Sequence, residues 1–491
     1  MLGAVLALLC GASAMAQTVY SRYSGAVTVP LATPPEWQWC PLAIGGGGNN
    51  LGLTFDPSNS SRAYIRCDVS GVIRTEDAGG HWRNVNDGFH GEVQGNYSVG
   101  AIGVDPATPN RVYAALARQF TAGGGIFRSD DYGDSWTKIS DDIGLFATGG
   151  ALARGDGGAG LLVSPSDGSW LTSINLDASK GPLGVWMSSD SGVTWSPSLS
   201  SRTVNTLAWI PGAANGIMAG CVARNSYGGG MFRTIDGGAT WSAAGLSAYS
   251  VYDFVFGSTD GQTIYAAVGP NGIAKTTNGG ASWSLVNTGL PTSASGSTGS
   301  SFYPFDYHAI SVDPHNSSHL ITAALSVNRI YETTNGGASW VSRSPSVTTS
   351  VSVPAGWMNT SSNFSWHPNH IAFSPSDSSK WYLSDIWGTW TTSNSGGSWS
   401  LAPYGQETSC CTDIVADPAV NGKIYIGIFD HAMLAYQDSD TTPSAPHPSG
   451  MVTQHDSVNL HVSGIAQNLQ TPAKLVVVSN STFVQYSTDH G

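Results

Sequence analysis

The residues best suited to chemistry in this chain are a few acids that stand where its internal repeat does not require them. A short phrase, Ser/Thr-x-Asp/Asn-x-Gly-x-Ser/Thr-Trp, recurs from end to end. Setting the segments around it side by side without gaps places Tyr64-Ile-Arg-Cys-Asp-Val-Ser-Gly71 on Tyr265-Ala-Ala-Val-Gly-Pro-Asn-Gly272. Gly269 holds in one segment the place of Asp68 in the other, so the scaffold needs no carboxylate there. The same register puts Asp385 on Asp68 and Asn394 on Asp77, while Asp430 follows an equivalent strand in a segment that lacks the phrase. A short acid in a loop is commonly only a turn former. Two carboxyls facing across a cleft, however, are what glycoside hydrolysis requires. One protonates the leaving oxygen and the other activates water, with roughly 6.5 to 9.5 Å between them for inversion. Asp68 pairs with Asp385 or with Asp430, and the repeat alone prefers Asp385.

Aromatic residues provide a separate indication. Seven of the 17 Trp belong to the phrase and are core by default. Among the rest, Trp357, Trp366, Trp381, Trp387 and Trp390 crowd one stretch, and Phe302, Tyr303, Phe305 and Tyr307 lie upstream with Asp306 and His308. Exposed rings stack on the apolar faces of pyranoses, and Asp, Asn and His take the hydroxyls. Trp357 and Trp366 lead the candidates for a sugar-binding cleft, joined by Trp387, Tyr303, Tyr307 and His370. Packing between sheets is the competing role for each ring, and a polar rim for His367 and His370.

The elements that must position these groups are set by the phrase. Its copies centre on Asp77, Asp131, Asp190, Asp236, Asn278, Asn335 and Asn394, and an eighth opens at Ser487. The chemistry is that of a tight turn: Asp or Asn bonds to backbone N–H groups ahead of it, and Gly accepts positive φ. Asn in three copies keeps the turn bonds but cannot exchange a catalytic proton, so these residues are scaffold. Each copy closes a unit of four short strands, the blade of a β-propeller. The expected fold is all-β, a seven-bladed (six to seven) propeller over residues 17–350, with a concealed blade edge near Gly149 to Gly160. Residues 344–354 read as a linker. Residues 351–491 then supply the first two or three blades of a second propeller, and the interrupted eighth copy reads as a C-terminal truncation.

Composition narrows the classes. A net charge of −13, from 33 acidic and 20 basic residues, disfavours nucleic acid or an anionic membrane as partner. Glycine (61) and tryptophan (17) are abundant and charge is sparse, as suits tight turns and short strands. Residues 1–16 are apolar and end in Ala-Met-Ala, which reads as a secretory signal and implies a secreted or periplasmic protein with no membrane contact after its removal. Five cysteines remain, enough for one disulfide whose pairing spacing does not choose. His315 and His319 lack neighbouring cysteines, so no metal and no cofactor is expected. The expected state is a monomer that acts on a polysaccharide.

The phrase resembles the Asp-box of sialidase-type and related propellers. The opening Trp39-Cys-Pro-Leu-Ala-Ile-Gly-Gly-Gly-Gly48, Phe55-Asp-Pro57 and Tyr64-Ile-Arg-Cys-Asp-Val-Ser-Gly71 resembles glycoside hydrolase family 74, the xyloglucanases. That resemblance implies two propellers flanking a substrate cleft, an inverting pair of aspartates, and Asp68 as general base. Gly405-Gln-Glu-Thr408, Asp413-Ile-Val-Ala-Asp-Pro418 and Ile426-Gly-Ile-Phe-Asp430 resemble the segment that carries the second, which makes Asp430 the general acid in preference to Asp385. The flanks depart from the family: Phe429 precedes Asp430 and His431-Ala-Met-Leu434 follows it. The alternative is a non-catalytic propeller that binds polysaccharide or protein. A sialidase is disfavoured, because the Arg-Ile-Pro opening is absent and basic residues are too sparse for an arginine triad.

Overall fold

The computed structural model describes residues 17–20, 26–29, 49–68, 70–89, 98–116, 124–144, 160–224, 226–292, 305–325, 329–343, 348–349, 364–365, 367–401, 406, 411–420, 423–428, 433–437, 462–468, 470–479 and 484–487. The chain divides into two compact units, Met1–Pro41 and Leu42–Gly491. In the first, Gln17–Tyr20 pairs antiparallel with Ala26–Val29. The expected signal segment, 1–16, lies outside the described residues.

In the larger unit, short strands separated by the repeated turn fold into antiparallel meanders in chain order. The first is Asn50–Asp56, Asn59–Cys67, Val72–Thr75 and Arg83–Asn84. Six more of the same order span 99–140, 161–200, 203–243, 253–285, 307–342 and 370–401. No helix occurs among the described residues, and none is long and apolar enough to cross a membrane. The first strand of each sheet touches the first strand of the next, and His370–Ser374 of the seventh touches Asn50–Asp56 of the first, so the ring closes with seven blades. Second strands such as Val112–Leu116 and Ile217–Val222 are buried throughout, because both faces of a blade pack on neighbours. Fourth strands such as Arg83–Asn84, Ser242–Ala243 and Val341–Ser342 are exposed at the perimeter.

The ring corrects the expected boundary at residue 350. Six blades end at Ser342, and without the sheet at 370–401 the first and sixth would present bare apolar faces. Seven phrases therefore correspond to seven blades; residues 149–159, where a further blade edge is expected, lie outside the described residues, and Leu161–Val163 opens the third blade. Within the expected linker, Thr348–Thr349 runs parallel to Ser398–Trp399 and adds a fifth, outer strand to the seventh blade.

The turn itself repeats atom for atom. In the first copy the Thr75 hydroxyl donates to Asp77 Oδ1 (2.9 Å), which also accepts the His81 N–H (2.8 Å), while the Gly79 N–H donates to Thr75 Oγ1 (2.9 Å). In the fifth, Asn278 Oδ1 accepts from Thr276 Oγ1 (2.8 Å) and from the Ser282 N–H (2.9 Å), and its Nδ2 donates to Ser282 Oγ (2.8 Å). Asp131 Oδ2 instead accepts from Ser135 Oγ (2.6 Å), so the serine hydroxyl reverses its role to suit Asp or Asn. The residue before the glycine is left-handed too: Ala78 at 57°, Tyr132 at 62°, Gly336 at 65°.

That second left-handed residue turns its carbonyl toward the preceding blade. Tyr64 donates its hydroxyl to Tyr132 O (3.1 Å), Tyr265 to Gly336 O (3.0 Å) and Tyr382 to Ala78 O (2.9 Å). The last of these joins the seventh blade to the first, by the same bond that joins the first to the second. Indole N–H groups add a second tie between neighbours: Trp136 to Val85 O, Trp283 to Ala244 O and Trp340 to Val286 O, each 2.8 Å. Between the sixth and seventh blades, His319 is held by Asp313 (2.8 Å) and Glu332 (2.7 Å), and Ser378 donates to Asp313 Oδ1 (2.9 Å). His319 therefore commits both ring nitrogens to carboxylates.

Two three-stranded sheets follow, at 411–437 and 462–487. Asp413 accepts the Ile414 N–H (3.0 Å) and, across the gap between the sheets, the Ile465 N–H (2.9 Å). Asp253 does the same between the fifth and sixth blades, with Phe254 (2.9 Å) and Ile310 (3.1 Å). The two sheets are thus docked as consecutive blades.

Two expectations follow. Tyr382→Phe removes one hydroxyl from the closing seam and should cost about 1 kcal/mol in urea unfolding, as a net hydrogen bond does, since Lys380 still donates to Ala78 O. Asp190 is held at about 2 by the Thr194 hydroxyl and N–H, and Asp236 at about 2 by the Thr234 and Thr240 hydroxyls. Their stabilisation is present above roughly pH 4 and lost as pH falls through roughly 2. An Asp190→Asn, Asp236→Asn double variant, copying the natural Asn turns, should match the parent's thermal midpoint at neutral pH and fall less steeply across that window.

Candidate functional site

Because each blade is a meander with its first strand innermost, the starts of the first strands and the hairpins between second and third strands emerge on one face. The repeated turns, between third and fourth strands, emerge on the other. Asp68, Asp385 and His370 share the first face, and the acids of the repeated phrase do not.

Asp68 is half-buried, at the start of the loop that follows Asn59–Cys67. Its N–H donates to Asn49 O (3.1 Å), and the Cys67 thiol approaches Asp68 Oδ1 at 3.6 Å. Cys67 and Cys221 are both buried. Asp385 is different in kind. It has no exposed surface; Oδ1 accepts the N–H groups of Trp387 (2.7 Å) and Gly388 (3.1 Å), and Oδ2 accepts the Trp390 indole (2.8 Å). Burial pushes its pKa well up against those donors. The carboxyl builds the tight turn 385–388 and cannot reach a soluble substrate in this packing. Asp430 lies outside the described residues.

Among the sugar-binding candidates, Tyr307 is corrected by its surroundings: it is fully buried, and its hydroxyl donates to Pro291 O (2.8 Å). Trp387 is half-exposed at the turn that Asp385 caps, packed on the seventh-blade core. His370 opens the innermost strand of the seventh blade, and burial lowers it to about 3, with the charge of Arg66 adding to the effect. Its ring is therefore neutral at physiological pH, able to donate one hydrogen bond and accept another. Trp357, Trp366 and Tyr303 lie outside the described residues.

Residues without any repeat signal complete the face. Arg66 is buried over Gly52, where a Cβ would stand 2.8 Å from the guanidinium, and it donates to Gly100 O of the second blade. Its charge acts on both Asp253 of the fifth blade and His370 of the seventh, so groups from three blades converge near the ring axis. Burial raises Asp253 to about 7 against the Ile310 and Phe254 N–H groups. At the start of the fifth and sixth inner strands, Tyr252 stacks on His308 at 3.7 Å and 13°, and His308 Nε2 lies 3.0 Å from Asp306 Oδ1. Arg66 stands two residues before Asp68 in the segment whose register revealed that acid. Nothing in the sequence ties it to Asp253 or His370, which are 187 and 304 positions away by number (253 − 66 and 370 − 66). No group of His, Cys, Asp and Glu suited to a metal occurs among the described residues.

No protein-family model matches the chain. It is similar to the xyloglucanase of Acetivibrio thermocellus, 25% identical over 361 residues, which is 65% of this chain and 41% of that protein. It is also similar to a xyloglucanase of a Paenibacillus species, 28% identical over 351 residues, 63% of this chain and 33% of that protein. The chain thus spans less than half the length of these curated relatives. Among solved structures, a glycoside hydrolase family 74 enzyme of Niastella koreensis superposes with a TM-score of 0.75 at 21% identity, over 92% of this chain and 66% of that one. The family 74 xyloglucanase of Xanthomonas campestris gives 0.74 at 20% identity, over 93% and 68%. With seven blades, the acid-bearing face and these relatives in view, the chain is a homologue of the xyloglucanases that carries the propeller fold of glycoside hydrolase family 74.

Proposed function

We propose that the protein is a secreted glycoside hydrolase that cleaves the β-1,4-glucan backbone of xyloglucan or a related plant polysaccharide by inversion, acting as a monomer without metal or cofactor. The observation that carries this reading is Asp68, a half-buried carboxyl on the face opposite the structural turns, in a chain similar to xyloglucanases. Asp68 takes a proton from water as general base, and that water attacks the anomeric carbon from the face away from the leaving group. Asp430 gives its proton to the departing glycosidic oxygen. Trp387, together with Trp357, Trp366 and Tyr303, stacks on the glucan rings, and neutral His370 binds a hydroxyl. Asp77, Asp131, Asp190, Asp236, Asn278, Asn335 and Asn394 serve the scaffold alone.

The test is release of reducing ends from xyloglucan and mixed-linkage glucan by the full-length protein. Asp68→Asn and Asp430→Asn should each lower kcat by at least about 10³-fold, the order expected for loss of an acid or base. Asp385→Asn should behave differently: its amide would set an N–H against the Trp390 indole N–H, costing about 2 kcal/mol of stability, while the folded enzyme keeps its turnover. A parent that binds xyloglucan and releases no reducing ends would mark a binding propeller instead. Loss of turnover in folded Asp385→Asn with an active Asp430→Asn would move the acid to Asp385.

A further inference from the structure

The seam between the seventh and first blades is bonded in two places of different character. On the face of the repeated turns it is the tyrosine bond from Tyr382 and the Lys380 ammonium to Ala78 O. On the face of Asp68 it is a chain of buried amides. Asn369, whose own N–H is fixed to Ser384 O (2.8 Å), sends Nδ2 to Asn49 Oδ1 (2.5 Å) and to Asn50 O (2.8 Å). Asn50 Nδ2 donates to Thr389 Oγ1 (3.1 Å) and Gln406 Oε1 (3.0 Å), and Gln406 Oε1 also accepts the Thr389 N–H (3.1 Å). Asn49 in turn gives its carbonyl to the N–H of Asp68.

Asn50, Asn369 and Gln406 are each 0 to 1% exposed. Stability alone would not select them. Each leaves one buried polar atom, Asn50 Oδ1, Asn369 Oδ1 and Gln406 Nε2, without a partner among the described residues. An apolar seam would avoid that desolvation cost, about 1–3 kcal/mol for each unpaired atom. What the amides supply is direction. One end of the chain sets the backbone that carries Asp68, and the other grips Gln406, which lies past the last strand of the seventh blade on the way to Asp430.

We propose that Asn369 is a positioning residue for Asp68: through Asn49 and Asn50 it fixes the turn that carries the carboxyl, and through Asn50 and Gln406 it ties that turn to the segment leading out of the propeller. The inference rests on the reading of Asp68 as general base. Asn369→Ala removes the donor, Asn369→Gln restores an amide one methylene out of place, and Tyr382→Phe weakens the same seam on the opposite face.

Hydrogen–deuterium exchange of the peptide holding Asp68 is read beside the kinetics of the full-length protein. Asn369→Ala should speed exchange there about tenfold and lower kcat about 10- to 100-fold with KM within about twofold, the scale of a carboxylate misplaced by an ångström. It should also shift the acid limb of the kcat/KM pH profile, which reports the base. Tyr382→Phe should lower the thermal midpoint and leave all three readouts at the parent's values, and Asn369→Gln should recover part of the protection. Unchanged exchange in Asn369→Ala overturns the proposal whether or not the parent is active, and so does faster exchange with unchanged kcat and pH profile in an active parent. Faster exchange in an inactive parent upholds the hold on Asp68 and removes only the glycosidase reading.

Discussion

The structure leans on one hydrogen bond that recurs at three seams of the ring, its closure among them: a tyrosine hydroxyl of one blade to the carbonyl of a left-handed turn residue in the next. L-residues resist this conformation by about 1–2 kcal/mol. The bond from the neighbouring blade and the Oδ1 bonds within the turn oppose that resistance together. Closure of the ring uses the same contact, from Tyr382 to Ala78, as the first and second blades use between Tyr64 and Tyr132. No exchange of strands between the chain's ends is needed, because every blade is built from contiguous sequence.

This economy separates structure from chemistry in space. The turns occupy one face, so the other is free to vary, and there the blades differ: a glycine at Gly269, a fully buried acid at Asp385, a half-buried one at Asp68. Asp385 and Asp68 occupy corresponding places in segments of equal length, yet in one the strands pair as far as Asp385 and Gly388, and in the other the pairing stops at Arg66 and Val72, before the acid. The fully paired hairpin folds its acid inward onto three N–H groups, and the one whose pairing stops early leaves its acid half-accessible. How far the strand pairing runs, not residue type or segment length, distinguishes the two.

The channel side of the ring carries an unusual electrostatic arrangement. Beside the buried Arg66 guanidinium, burial lowers His370 to about 3 and raises Asp253 to about 7. Arg66 and Asp253 are buried, so the charge of Arg66 acts on its neighbours more strongly than an exposed charge would. Asp253 and Asp413 make the same pair of N–H contacts in different parts of the chain, which identifies the carboxylate bridge as a docking device that recurs beyond the ring.

The sequence by itself determined the all-β blade, the turn and the separation of scaffold acids from Asp68, because these are local: a phrase of eight residues contains its own donors and acceptors, and Asn can replace Asp only where no proton is exchanged. Its opening, at residues 39–48, 55–57 and 64–71, also carries the resemblance to the xyloglucanases. Only the tertiary structure decided that seven blades close at residue 401, since closure is a contact between the first and last sheets and leaves no local mark. The same holds for the burial of Asp385 and Tyr307, both of which look available in one dimension, and for the convergence of Arg66, Asp253 and His370. The amide chain from Gln406 to Asn49 belongs to this second class: its members lie more than 350 residues apart at the extremes, and their partnership exists only once the ring has brought its two ends together.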